Sequence, residues 1–499
     1  MKESIPASEY FSEHPSSLIP HPSSFMNKTQ PARGMRDFLP ADVRRREYVI
    51  GVIREVYERY GFEPLETPAV ENIETLMGKY GEEGNQLIFK ILKRGAHEST
   101  GEADLALRYD LTVPLARVIA NHRGTLPKFF KRYQIQPVWR ADRPARGRFR
   151  EFYQCDIDVV GTHSMLVEAQ LCAAASEALA ELGFQQFTIR LNHRQILAGI
   201  LNAAGVLGEK HASALVALDK LDKIGRNGVY KELTERGITE EAGNKLLTFF
   251  EKISGLESEV RIPIEGSIES ERERLNNLVL SRLIEFVEED DEIGNSGIKE
   301  LRLILKYAKA SGVGARIRID PSLARGLSYY TGAILEISVP DLSGSLGGGG
   351  RYDNLIGMFL KEEIPACGFS LGLERIIVVM TEREMFPREL LEAPAEVMIL
   401  GWFDSPYEDE NRILDSLALA SRLRCKKLRV DVYPESADMD KQFNYARKQG
   451  YPIIILINQE NYKEGKCVIR NMRANTRQEI ASAEIESVIL KMFGKDSDT

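Results

Sequence analysis

Cysteine is scarce in this chain: five in 499 residues, at 155, 172, 367, 425 and 467, none in a C-x-x-C pair. That spacing excludes a zinc knuckle and suits thiols kept reduced, so a cytoplasmic location is expected. Long apolar runs are also missing. The longest, residues 451–457, is strand-sized, so nothing is expected to span a membrane. The glycines at 347–350 lack a following Gly-Lys-Ser/Thr, which excludes a phosphate-binding P-loop, and no G-x-G-x-x-G opens a helix after a strand. No His-Glu-x-x-His suggests zinc, and no nucleophile elbow for a Ser/His/Asp site is expected.

What remains is ordinary globular material, 43% hydrophobic and 28% charged, long enough for two to four domains. A net charge of −8 argues against a chain coated with nucleic acid, but permits a local basic grip on an anion. Residues 128–150 supply that patch. They hold eight Lys/Arg (128, 131, 132, 140, 143, 146, 148, 150) against one acid, Asp142, so the local balance is +7. Segments 129–140 and 150–161 flank the patch and alternate like the strands of an antiparallel hairpin with a cationic tip. On the second strand Tyr153, Cys155, Ile157 and Val159 share one face, and Gln154, Asp156 and Asp158 the other. A strand apolar on one side and polar on the other is either a solvated edge or the floor of a polar pocket.

Along the chain, residues 1–33 are rich in Ser, Pro and His without a helical or strand period, which predicts a disordered leader. Met26 is then a candidate natural start; mass spectrometry finding peptides from 1–25 in natively expressed protein excludes it. Pro40 opens a helix whose stripe of Val49, Val52, Ile53, Val56 and Tyr60 ends at Gly61. Strands are expected at 87–92, 105–109, 187–191, 315–320 and 330–339, and helices at 112–121 and 167–182. Residues 344–350 are expected to form a glycine-rich turn. Between 194 and 313 the pattern is helical only, which predicts an inserted helical domain. After 393 strands and helices alternate as in a small α/β domain. The divisions are therefore 1–33, 34–193, 194–313, 314–392 and 393–499. The basic cluster at 422, 424, 426, 427 and 429 fits either an RNA-facing edge or a solvated helix end.

Three polar groups stand out beyond the hairpin. Asp110 and Thr112 lie two residues apart at a strand end, where they also suit a helix cap. Arg325 sits on a loop ahead of Tyr329 and Tyr330, a pair that equally suits a core. Residues 368–375 alternate small and bulky side chains before Glu374 and Arg375, which lets a backbone or a flat ligand approach closely, although Arg375 also suits an ion pair.

Together these stretches resemble the motifs of the class II aminoacyl-tRNA synthetases, specifically the histidyl-tRNA synthetase family. The hairpin resembles motif 2, residues 368–375 motif 3, and the stretch around Gly61 to Gly81, with Pro68, the looser motif 1. Residues 325–330 and 348–353 resemble the family's histidine-specific stretches. The likeness runs from Gly34 to the end, about nine-tenths of the chain.

The resemblance implies an α+β fold: an antiparallel sheet flanked by helices, a helical insertion and a C-terminal α/β anticodon-binding domain. It implies activation of histidine by ATP with Mg2+, then transfer to tRNA(His), by a homodimer. Arg140 and Arg325 are the implied catalytic cations. Arginine suits two meeting anions because its fork grips phosphate or carboxylate bidentately. ATP would lie against Arg140, Asp142, Arg148 and Arg375; Asp142 replaces the glutamate commoner in bacterial relatives. Asp110 and Thr112 would take the ammonium of histidine, Gln154 its carboxylate side, and Asp158 with Tyr329 and Tyr330 the imidazole. Arg143, Arg146 and Arg150 would face the tRNA acceptor end. The resemblance gives no metal ligand. The rival within this fold is the non-catalytic regulatory subunit of ATP phosphoribosyltransferase, which generally lacks the C-terminal domain and has eroded catalytic arginines.

Overall fold

The computed structural model describes residues 29–97, 100–260, 268–324, 329–342, 344–360, 362–391, 394–401 and 410–494. Arg325, Met26 and the leader up to residue 28 lie outside the described residues. Two compact units are present. One holds Tyr48–Arg383 with residues 29–39, and the other Glu384–Thr499 with Pro40–Glu47.

The first unit is built on eight strands: β1 (Glu63–Pro64), β5 (Phe130–Trp139), β6 (Glu151–Val160), β7 (Thr188–His193), β8 (Ile317–Ile319), β9 (Ala333–Ser338), β10 (Ser345–Arg351) and β11 (Ala366–Gly372). A small separate sheet of β2 (Val70–Asn72), β3 (Lys90–Leu92) and β4 (Ala103–Leu107) lies between β1 and β5 in the chain. The large sheet runs β1-β5-β6-β11-β10-β9-β7-β8. Its six inner strands are antiparallel, and the edge strands β1 and β8 pair parallel to their neighbours.

Strands β5 and β6 form the hairpin that the alternation predicts, in continuous register from Phe130 opposite Val160 to Trp139 opposite Glu151. Helix Pro40–Arg59 begins on proline, and Gly61 follows it at φ +75°. Its Tyr57 is fully buried and donates to the Cys155 carbonyl of β6 at 3.1 Å. Helix Leu166–Glu181 is rich in small residues, packs on β6 and β11, and buries Val167, Leu171 and Leu179. Each such side chain contributes about 1.5–3 kcal/mol when fully buried.

Residues 344–350 are not a turn. They form most of β10, at the centre of the sheet between β9 and β11. Glycine serves there because the neighbouring chains come too close for a side chain. A Cβ on Gly349 would lie 2.1 Å from the Gly368 carbonyl oxygen, and one on Gly350 2.4 Å from that of Ala333.

From 194 to 310 the described secondary structure is helical apart from a short 3-10 turn. Helices Arg194–Ala203 and Glu292–Ala310 cross closely at Gly199 and Gly294; a Cβ on Gly199 would sit 2.9 Å from the Gly294 Cα. From helix Ile268–Phe286, Asn276 donates to the Ile317 carbonyl at 2.9 Å and accepts from the Ile319 amide at 2.9 Å, fastening the helix to β8.

The second unit has strands β12 (Val397–Leu400), β13 (Val430–Val432), β14 (Ile453–Leu456), β15 (Lys466–Asn471) and β16 (Thr476–Ala481), ordered β13-β12-β14-β15-β16. The first three are parallel and the last two antiparallel, around a core that includes Val397, Ile399, Ile455 and Ile469. All five cysteines are free thiols, and no described helix is long and apolar enough to cross a membrane.

Candidate active site

A cavity of about 290 Å³ opens over the polar face of β6, β11 and β10. Its walls bring together Asp110, Thr112, Gln154, Asp158, Tyr329 and Tyr330. Arg140, Asp142, Arg148 and Arg375 line it as well. Arg143, Arg146 and Arg150 do not.

The floor follows from register. On β6 the residues Gln154, Asp156 and Asp158 face Gly372, Ser370 and Gly368 of β11 on one side, and Gln136, Gln134 and Arg132 of β5 on the other. A three-strand polar ladder results, two residues per step. Arg132 is fully buried; its Nη2 lies 2.9 Å from Asp158 Oδ2 and 3.8 Å from Asp156 Oδ2. Burial pushes both carboxyls above the ordinary aspartate range, and the Arg132 charge opposes that rise. Asp158 also accepts a short hydrogen bond from the Tyr352 hydroxyl.

At one end Asp110 is 1% exposed. It accepts from the Val113 amide at 3.1 Å, the Tyr80 hydroxyl at 3.0 Å and the Tyr329 hydroxyl at 3.1 Å. The carboxylate therefore holds the start of helix Thr112–His122 and also faces the cavity, so the cap reading and the binding reading are both true of it. Burial raises its pKa against those hydrogen bonds and against the nearby Arg140 charge. Tyr329 and Tyr330 stand edge to face, ring centres 5.2 Å apart.

The other end is cationic. Arg140 donates Nε to the Tyr109 carbonyl at 3.0 Å and lies over the Tyr109 and Phe152 rings, at 4.2 and 5.2 Å. Arg375 donates to the carbonyls of Gly147, at 3.3 Å, and Ser345. Its pKa is lowered, first by burial and then by repulsion from Arg148 and Arg140. These hydrogen bonds to carbonyls fix Arg140 and Arg375 without neutralising them, and Arg148 lies 4.0 Å from the Asp142 carboxylate, so this end has charge to offer an anion. Gly147, at φ +68°, passes so close that a Cβ there would meet Arg375 Cγ at 3.2 Å.

The remaining arginines of the hairpin tip divide differently. Arg146 is exposed and pairs with Glu382, with a further bond to the Asp341 carbonyl at 3.2 Å. Arg150 closes the hairpin: its Nε donates to the Asp142 carbonyl at 3.1 Å, and its amide to Gly34 at 2.8 Å. Arg143 is exposed.

Residues 368–372 do spell the G-x-S-x-G of a hydrolase elbow, contrary to the expectation of none. They run inside β11 rather than at a strand–helix turn, and Ser370 Oγ accepts from Gln154 Nε2 at 3.0 Å. Among the described residues no histidine lines the cavity, so the serine lacks the base of a triad. Sequence reasoning passed over Tyr80, Arg132, Tyr352 and Ser370. Arg132 and Ser370 lie in step with the polar face of β6, a signal visible only once the strand pairing is known. Tyr80 comes from a distant segment and gave no signal.

Comparison with known proteins decides the family. The family model described as histidyl-tRNA synthetase matches residues 34–376. The chain belongs to the histidyl-tRNA synthetase family. A model described as an anticodon binding domain matches residues 410–492, within the second unit. The chain is 39% identical to the histidine–tRNA ligase of Cytophaga hutchinsonii over 92% of its own length and 99% of that protein. It is 40% identical to the histidine–tRNA ligase of Porphyromonas gingivalis, covering 91% and 97%. Among solved structures, the histidyl-tRNA synthetase from Nostoc sp. PCC 7120 superposes with a TM-score of 0.72 at 32% identity, covering 94% of this chain and all of that one. A Bacillus halodurans structure described as an ATP phosphoribosyltransferase regulatory subunit/histidyl-tRNA synthetase shares the fold, with a TM-score of 0.64 at 18% identity, covering 86% and 98%.

Proposed function

We propose that this chain is a histidine–tRNA ligase that activates histidine with ATP in the cavity over β6 and then transfers it to the 3′ end of tRNA(His). The observation that carries this reading is the polarity of one cavity: buried carboxylates at one end, three convergent guanidiniums at the other. Asp110 and Thr112 take the ammonium of histidine, Gln154 orients its carboxylate, and Asp158, Tyr329 and Tyr330 hold the imidazole. The carboxylate attacks the α-phosphorus of ATP and pyrophosphate leaves. Arg140 stabilises the charge growing on the phosphoryl oxygens, and Arg375, Arg148 and Asp142 hold the nucleotide. Arg325 is the second catalytic cation. A pocket that hydrogen-bonds both ring nitrogens rejects other side chains by roughly 10⁴–10⁵, so no editing site is required.

Among the described residues no group of three His, Cys, Asp or Glu side chains converges on a metal position. Mg2+ would be carried in by ATP, since this ion is commonly held by phosphates and one or two carboxylates. Asp142 and Glu374, both lining the cavity, are the carboxylates in reach. The ion supplies neutralisation of phosphate charge.

Arg143, Arg146 and Arg150 belong to the face that receives the tRNA acceptor end; engagement would require Arg146 to leave Glu382. Residues 34–193 and 314–392 make the catalytic core, 194–313 the helical insertion and 393–499 the anticodon-binding domain of a cytoplasmic homodimer. A charging assay tests the reading: labelled histidine is transferred to a tRNA(His) transcript. The regulatory-subunit alternative predicts histidine binding with no charged tRNA.

A further inference from the structure

Asp156 is the buried carboxylate on the cavity floor with no role assigned so far. It is 2% exposed, lines the cavity, and its Oδ1 has no hydrogen-bond partner. Gln154 Oε1, one step along the same face and nine-tenths buried, is also without a partner. Two orphaned acceptors in one wall are costly unless a ligand brings N–H donors, since an unsatisfied buried polar group costs about 1–3 kcal/mol. Asp158 is differently placed: Tyr352 donates to its Oδ1, and its Oδ2, which accepts no hydrogen bond, has the Arg132 guanidinium 2.9 Å away as an ion pair. Asp156 has the long approach of Arg132, 3.8 Å from its Oδ2, and the hydroxyl of Ser370, and its Oδ1 is left without a partner.

The charge count points the same way. Arg132 supplies one positive charge beneath two carboxylates and lies nearer Asp158, so Asp156 is the member left short of a donor. A donor with a hydrogen on nitrogen matches that deficit.

We propose that Asp156 is a specificity-determining residue that accepts an N–H of the bound imidazole through Oδ1, and that Arg132 is the positioning residue that holds Asp156 and Asp158 as a pair. This rests on the reading of the cavity as the histidine site. Asp158 then acts as the anchored partner and Asp156 as the acceptor completed by substrate. Ser370 sets the Asp156 rotamer from the neighbouring strand.

The test uses the full chain and histidine-dependent exchange of pyrophosphate into ATP, with Asp156→Asn, Asp156→Ser and Asp158→Asn. Both Asp156 variants are made so that one folded protein suffices, and free imidazole is used as a competitive inhibitor to probe ring recognition alone. The expectation is a ten- to hundredfold rise in KM for histidine in the Asp156 variants. The Ki of imidazole should rise in parallel, with KM for ATP within twofold of the parent. A purely structural role would move both substrates together. If Asp158→Asn raises KM for histidine while a folded Asp156 variant leaves it within twofold, Asp156 has no specificity role and the histidine site stands. If neither position affects histidine, the proposal and the assignment of the cavity fail together.

Discussion

A Cβ placed on Gly368 would lie 1.8 Å from Asp158 Oδ1, so the carboxylate occupies the space a side chain on the next strand would need. The pair is in register across β6 and β11. Asp158 is thus aimed by what its neighbour lacks. Gly368→Ala must push Asp158 away or spread the strands, an overpacking cost of about 1–3 kcal/mol. The expected outcome is a folded protein with a lowered Tm and a KM for histidine raised at least tenfold, read by steady-state exchange kinetics and thermal unfolding.

The cationic end gives a different signature. Removing one preorganised donor from a developing oxyanion costs about 10²–10³ in kcat. Arg140→Ala should show that loss with an unchanged melting temperature, because Arg140 bonds a single carbonyl and stacks on rings at the cavity mouth. Arg375→Ala, by contrast, frees the Gly147 and Ser345 carbonyls it holds, and should raise KM for ATP more than it lowers kcat. Reversal of these two patterns would exchange their roles.

Arg351 sits in a stretch that resembles a family motif, yet it works inside the fold. It grips the fully buried Glu168 through two bonds, at 2.7 and 3.0 Å, and donates to the Thr162 carbonyl at 3.1 Å. Losing one partner of such a pair leaves an unpaired buried charge and costs about 3–5 kcal/mol. Arg351→Ala should therefore lower stability to chemical denaturation by that amount while KM values in the surviving folded fraction stay near the parent.

Asp320 predicts a pH dependence. Burial works to raise its pKa, but the Arg190 guanidinium at 2.6 Å, the Ser322 hydroxyl and the Arg318 charge together outweigh this and leave it below the ordinary aspartate value of 3.8. A depressed carboxyl binds fewer protons folded than unfolded, so its stabilisation is present above about pH 4 and is lost as pH falls through the folded pKa. Asp320→Asn should lower stability at neutral pH, and its denaturation midpoint should converge with the parent's as the medium is acidified through the folded pKa of Asp320. A difference independent of pH would show that packing, not charge, is what Asp320 contributes.

The hairpin was legible in sequence because its alternation is regular and its polar face uninterrupted, which brings Gln154 and Asp158 to one surface without knowledge of the fold. Helix Pro40–Arg59 was legible from its proline and its stripe. The strand at 345–351 was not, since four glycines carry no side-chain period and read as a turn until the close neighbours are known. The pairing of Arg132 with Asp158, of Tyr80 with Asp110, and of Arg146 with Glu382 depends on contacts 26, 30 and 236 residues apart, or on strand register, and local pattern holds no record of these.

The central claim is that histidine and ATP meet in the one cavity over β6. Histidine-dependent exchange of labelled pyrophosphate into ATP, run without tRNA against a panel of amino acids, measures it most directly. Exchange with histidine alone, lost on Arg140→Ala in a protein of unchanged melting temperature, is the predicted result. Histidine binding without exchange in the parent protein, or exchange that persists at the parental rate in Arg140→Ala, would contradict it.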